Sequence, residues 1–106
     1  MASVIVSPEA ETDLEGILRH VAEQAGATIA GRYVEGMLAT IESLAVIPEA
    51  SGRPVPKLGR GLRCHPIGKY NVYLRYDSVG DVLSAVRVLH GRRRITRKVF
   101  GLKRRP

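Results

Sequence analysis

The residues of this sequence that could act on a phosphate lie mostly in its second half. Arg87-Val88-Leu89-His90-Gly91-Arg92-Arg93-Arg94 sets an imidazole just before three guanidinium groups, with Arg63, His65, Tyr70, Tyr73 and Tyr76 upstream. Cleavage of RNA by its own 2′-hydroxyl needs a base for that proton, an acid for the leaving oxygen and cations for the phosphate charge. In a chain of that kind His90, Arg63 and Arg87 would carry the work, with His65 or a sheet tyrosine as the other proton carriers. An imidazole suits either proton-transfer role, although a histidine ending a strand on the core side is more often a packing residue. After His90 the sequence contains no Tyr, His, Asp or Glu. Arg92, Arg93, Arg94, Arg97 and Lys98 would instead bind an anionic target without chemistry of their own.

Other chemistries find little support. Cys64 is the only cysteine, and His20, His65 and His90 are scattered, so the paired spacing of a zinc site is missing. Neither a phosphate-binding glycine loop nor a nucleophile elbow is present, and nothing calls for a cofactor. His20 falls on a helix surface and receives no role. Glu9, Glu11, Asp13 and Glu15 crowd the first turns of a helix, where the macrodipole favours negative charge.

The net charge of +7 conceals a division along the chain. Residues 1–50 hold eight acids against Arg19 and Arg32, a balance of −6, whereas residues 51–106 hold fifteen Lys and Arg against Asp77 and Asp81, a balance of +13. Such poles steer an anionic partner, nucleic acid or acidic peptide, toward the C-terminal side. A lone cysteine points to a reducing compartment. The start Met1-Ala2-Ser3-Val4-Ile5-Val6 lacks the pattern of a signal peptide, and no apolar run approaches the ~20 residues of a membrane span. The expectation is a cytoplasmic protein without membrane contact.

These residues need a scaffold, and 106 residues at 44% hydrophobic allow one domain with a single core. Residues 3–6 read as a strand. Ser7-Pro8 then supplies an N-cap and a proline at the first helical position. Ala10, Leu14, Ile17, Leu18, Val21 and Ala25 recur at helical spacing. Gly26 ends that helix and Thr28 is expected to cap a second, striped by Ala30, Tyr33, Met37, Ile41, Leu44 and Ala45 until Pro48. The short link makes an antiparallel hairpin. Residues 48–61 read as a loop, 62–67 as a strand weakened by Pro66, and Gly68-Lys69 as a turn. Residues 70–76 and 82–90 are the two clearest strands, joined by a hairpin over 77–81.

Pairing Tyr76 with Val82 would set Val72 opposite Val86 and Tyr73 opposite Ala85. One face is then core, while the other carries Leu83, Ala85 and Leu89 beside Asn71, Tyr73, Arg75 and Arg87. That mixture suits a groove for an amphipathic segment.

Ser7-Pro8-Glu9-Ala10 with Asp13-Leu14, Pro48 with Gly52-Arg53, Leu62-Arg63, Gly68-Lys69-Tyr70 with Tyr76, and Arg87-Val88-Leu89-His90-Gly91-Arg92-Arg93 resemble the ParE branch of the RelE/ParE toxin superfamily. The resemblance runs from about residue 4 to 95. It implies an α+β fold: an N-terminal strand, an antiparallel helical hairpin and a three-stranded antiparallel sheet, in the order β-α-α-β-β-β. It implies a toxin domain over 1–96 and leaves a basic tail, 97–106, that the family does not explain. It implies a ParD-like antitoxin whose C-terminal segment wraps the toxin, here on Asn71, Tyr73, Arg75, Leu83, Ala85, Arg87 and Leu89. ParE-like members poison DNA gyrase and arrest growth, and on a plasmid stabilise it; RelE-like members cut mRNA on the ribosome. On the ParE side, Arg92, Arg93, Arg94, Arg97 and Lys98 would meet gyrase, with the tail touching DNA. ParE-like chains usually carry Asp where Arg94 stands.

Overall fold

The computed structural model describes residues 1–100. Its elements run β1 (Ser3–Val6), α1 (Pro8–Ala25), α2 (Ala27–Leu44), β2 (Arg53–Pro54), β3 (Leu62–Ile67), β4 (Tyr70–Asp77) and β5 (Val82–His90). Single 3₁₀ turns lie at Pro48–Ala50 and Arg97–Phe100.

Local chemistry sets the helix ends. The Ser7 hydroxyl accepts the Ala10 N–H at 3.0 Å, and Pro8 occupies the first turn, where a missing N–H costs nothing. Gly26, at φ 93° and ψ 162°, donates its N–H to the Ala22 carbonyl and is also the first residue before α2. One glycine therefore serves both helices, because that positive φ suits a residue without a Cβ. The expected Thr28 cap is not used, since α2 begins at Ala27 and has no side-chain cap.

The sheet has five strands in the order β1-β5-β4-β3-β2. The sequence reading of an N-terminal strand beside a three-stranded antiparallel sheet is enlarged in two ways. β1 joins as a parallel edge on β5, and Arg53–Pro54, within the expected loop, pairs with β3. Gly52 permits the second pairing: it sits at φ +66°, and a Cβ there would collide with the Cys64 carbonyl. The Arg63 side chain completes the attachment, donating from Nε to the Ser51 carbonyl at 2.6 Å and from Nη2 to the Gly52 carbonyl at 3.0 Å.

Register between β4 and β5 differs from the sequence expectation by one residue at the hairpin and by two beyond a bulge. Asp77 pairs with Val82, Tyr76 with Leu83 and Leu74 with Ala85, but Tyr73 pairs with Arg87, so Val86 is an extra residue. A bulge shifts the alternation of faces from that point on. Leu83 and Ala85 therefore face the helices, together with Val72, Leu74 and Val88, while Leu89 faces the other way with Tyr73. The expected groove uniting Leu83, Ala85 and Leu89 does not exist.

Two apolar clusters result. The larger lies between the helices and the sheet, where Met37, Ile41, Val72, Leu74 and Leu83 are essentially inaccessible. Each such side chain contributes about 1.5–3 kcal/mol on burial. The smaller, on the face away from the helices, joins Leu62, Cys64, Tyr73 and Leu89 to Val55, Leu58, Val86, Ile95, Val99 and Phe100.

Candidate functional site

Arg87 is held in a clasp. Its Nε and Nη2 donate to the two Asp13 carboxylate oxygens at 2.7 and 2.9 Å, and Nη1 donates to the Val99 carbonyl at 2.7 Å. Asp13 also accepts the Val88 N–H at 2.9 Å. The neighbouring Ser7 donates its N–H to the Ala85 carbonyl at 3.0 Å and its hydroxyl to the Val86 carbonyl at 2.8 Å. β1 stops pairing at Val6–Ala85, so the start of α1 takes over the exposed edge of β5 where the bulge leaves backbone groups free. The hydrogen bond that Arg87 donates to Asp13 is the first cause raising its pKa, and the guanidinium stays charged. Arg87 is thus a structural tie between helix, bulge and C-terminal segment rather than a free antitoxin contact or phosphate ligand.

The remaining antitoxin residues divide. Leu83 and Ala85 are buried under the helices, which corrects their place in a groove. Tyr73 and Leu89 do face away from the helices, but residues 95–100 lie over them as a strap. Phe100 stacks edge-on against Tyr73 at 4.9 Å, with Ile95 and Val99 in the same cluster. Asn71 and Arg75 share that face and are half-exposed. Beside the strap, Ile5, Ser84 and Arg75 lie side by side across three strands, with Ile5 51% exposed. Burial pushes the Cys64 thiol and the Tyr73 phenol up in pKa, so both stay neutral at ordinary pH.

Arg92, Arg93, Arg94, Arg97 and Lys98 are all exposed. Among the described residues the one ion pair is Arg87 with Asp13, so these five charges meet solvent. The rest of the basic tail, 101–106, lies outside the described residues.

Around the strand ends the structure assembles residues that sequence reasoning kept apart. Tyr33, Tyr70 and His90 stand edge to face in a row, with ring centres 6.2 and 5.2 Å apart. They wall a cavity of about 510 Å³ together with Val21, Gln24 and His20. Lys69 closes it, and a smaller hollow of about 310 Å³ continues past Lys69 and His90 to Arg92. The Gly91 N–H donates to the Lys69 carbonyl at 2.8 Å, and the Arg92 N–H donates to His90 Nδ1 at 3.0 Å, which leaves the ring proton on Nε2. Helical spacing alone puts His20 on a surface; only the folded hairpin carries it into the same wall as Tyr70. The signal available in sequence is its place one turn before Gln24.

The sequence from residue 4 to 95 matches the family model described as ParE toxin of type II toxin-antitoxin system, parDE. The chain belongs to this ParE toxin family. Solved structures share the fold, among them two toxin-antitoxin systems. The chromosomal ParDE toxin-antitoxin system from P. aeruginosa aligns at a TM-score of 0.73 and 22% identity, over 85% of this chain and 96% of that one. The RelBE2 toxin-antitoxin complex from Mycobacterium tuberculosis aligns at 0.58 and 21% identity, over 84% and 96%. No curated protein matches the sequence significantly.

For this ParE-family chain, the motif residues Ser7, Asp13 and Arg87 are the ones that fasten α1 to the bulged strand, so part of the motif is architecture. The trio His90, Arg63 and Arg87 is not a free set: Arg63 holds the 51–52 turn, Arg87 holds Asp13, and His90 stacks on Tyr70. Among the described residues no group of three or more His, Cys, Asp or Glu could hold a metal, and no helix is long and apolar enough to cross a membrane.

Proposed function

We propose that this toxin acts by binding DNA gyrase through Arg92, Arg93, Arg94, Arg97 and Lys98, and that a ParD-like antitoxin neutralises it from the sheet face opposite the helices. The observation that carries the reading is the division among its arginines. Arg63 and Arg87, the cations suited by sequence to phosphate chemistry, are consumed by carbonyls and by Asp13, while the five downstream charges face solvent. Charges arranged that way suit recognition of an anionic surface and fast, salt-sensitive association.

The antitoxin would lie along Ile5, Ser84, Arg75 and Asn71. Reaching Tyr73 and Leu89 requires the 95–100 strap to lift, because its side chains occupy that surface.

The test is a gyrase supercoiling assay with the purified chain, run beside ribosomes programmed with mRNA. Lost supercoiling or trapped cleaved DNA with intact message supports the reading. Cut message with normal supercoiling overturns it in favour of a RelE-like mRNA endonuclease.

A further inference from the structure

We infer that the cavity walled by Tyr33, Tyr70 and His90 is a nucleotide-binding site, taking a base against these rings and its phosphate at Lys69 and Arg92. The inference goes beyond the gyrase reading: the cavity lies on the helix side of the sheet, and of the residues assigned to the nucleotide only Arg92 also belongs to the proposed target surface.

Three features carry it. The volume of about 510 Å³ is within the ordinary range for small-ligand sites, and its wall is largely aromatic and aliphatic. Aromatic rings accept any base by stacking, and a single base so held contributes about 1–3 kcal/mol. No acidic residue lines either hollow, whereas Lys69 and Arg92 stand at the shared end, with Arg93 and Arg94 following in sequence. A planar apolar body thus finds its place beside a doubly charged anion's place. Gln24 and the His90 Nε2–H add groups able to hydrogen-bond a base edge.

Two glycines keep the walls close. A Cβ at Gly68, which sits at φ +59°, would lie 3.1 Å from the Tyr33 hydroxyl, and one at Gly91 would lie 3.2 Å from the Lys69 carbonyl. The β3–β4 turn can therefore approach both the α2 tyrosine and the end of β5. A peptide side chain would present one carboxylate at most to the same cations, so a nucleotide uses the site more fully.

The test is NMR titration of the full chain with AMP, with a short single-stranded DNA, with inorganic phosphate and with an acidic peptide bearing one phenylalanine. Shifts at Tyr33, Gly68, Tyr70 and His90 are expected with AMP or the strand. Tighter binding of AMP identifies a free nucleotide as the ligand, and tighter binding of the strand identifies a nucleotide within a chain. Lys69→Ala and His20→Ala, both exposed positions, should each weaken binding about tenfold or more for a stacked, ion-paired nucleotide without changing the thermal melt. Tyr70→Leu should abolish the ring shifts. The inference falls if phosphate alone competes equally, if shifts confine themselves to Arg92, Arg93 and Arg94, if the peptide binds more tightly than either nucleotide probe, or if Lys69→Ala and His20→Ala bind like the parent.

Discussion

At the scale of single residues, Asp13 carries the most connections. Its carboxylate meets two guanidinium nitrogens and one backbone N–H, and its side chain is 11% exposed against 16% for Arg87. Replacing it with Ala leaves a nearly buried cation without its partner, and unfolding by urea should show a destabilisation of about 3 kcal/mol. Asp13→Asn should cost less, because an amide oxygen can still accept from Val88. Tyr76 gives a pH prediction. Its hydroxyl donates to Asp81 Oδ1 at 2.7 Å, and this hydrogen bond is the first cause pushing its pKa up to about 12. A tyrosine raised in the folded state contributes stability that is complete below its unfolded pKa near 10 and is lost as pH climbs toward 12. Tyrosinate absorbance should therefore show Tyr76 ionising late, and Asp81→Asn should return it toward the ordinary range. A titration unchanged by that substitution would contradict the assignment.

At the scale of elements, β2 exists because Gly52 and Arg63 make it possible. Gly52→Ala introduces a Cβ against the Cys64 carbonyl at a backbone angle that disfavours it. The expected cost is about 1–3 kcal/mol, read as a lower urea midpoint at constant slope. The same two residues explain what was hard to read. Pro48, Pro54, Pro56 and the glycines around them advertise a loop, and two residues of pairing leave no periodic trace. The helices and β4 were legible because their apolar spacing is long and regular, β5 as an apolar run after the hairpin turn, and β3 only as a short strand weakened by Pro66. The bulge at Val86 was not, since Val82, Leu83, Ala85, Val86, Val88 and Leu89 form an apolar strand whose faces alternation cannot separate. The one-residue shift at the hairpin set Leu83 and Ala85 on the core face opposite Tyr76 and Leu74, and the bulge turned Leu89 to the other face, so the expected groove dissolved. The ring row of Tyr33, Tyr70 and His90 was equally hidden, because its members come from α2, β4 and β5 and meet only after folding.

At the scale of the whole molecule, one layer of helices covers one side of the sheet, and the described body is only 21 Å across its shortest axis. The opposite side is closed partly by the chain's own residues 95–100. The acidic and basic halves do not separate completely, for Glu9 of α1 lines the same cleft as Lys98 and Arg87. The block of Arg92, Arg93 and Arg94 stands clear of that compensation and is where DNA binding would register. If these residues neutralise phosphates, replacing all three with Gln should reduce the slope of log affinity against log salt by about 0.9 for each phosphate no longer neutralised. Filter binding to duplex DNA at several salt concentrations measures it, and an unchanged slope would remove the block from the DNA-facing surface.

The pairing of β1 with β5 joins Ser3 to Val82 across most of the polypeptide. During synthesis, the first strand has no neighbour until the fifth has been made, and β4, which can pair with β3, waits for the same segment on its other edge. A nascent chain halted before residue 82 holds a helical hairpin and unmatched strand edges, not a finished sheet. The five-stranded sheet of this toxin-family fold is therefore closed only once the segment through His90 has been made.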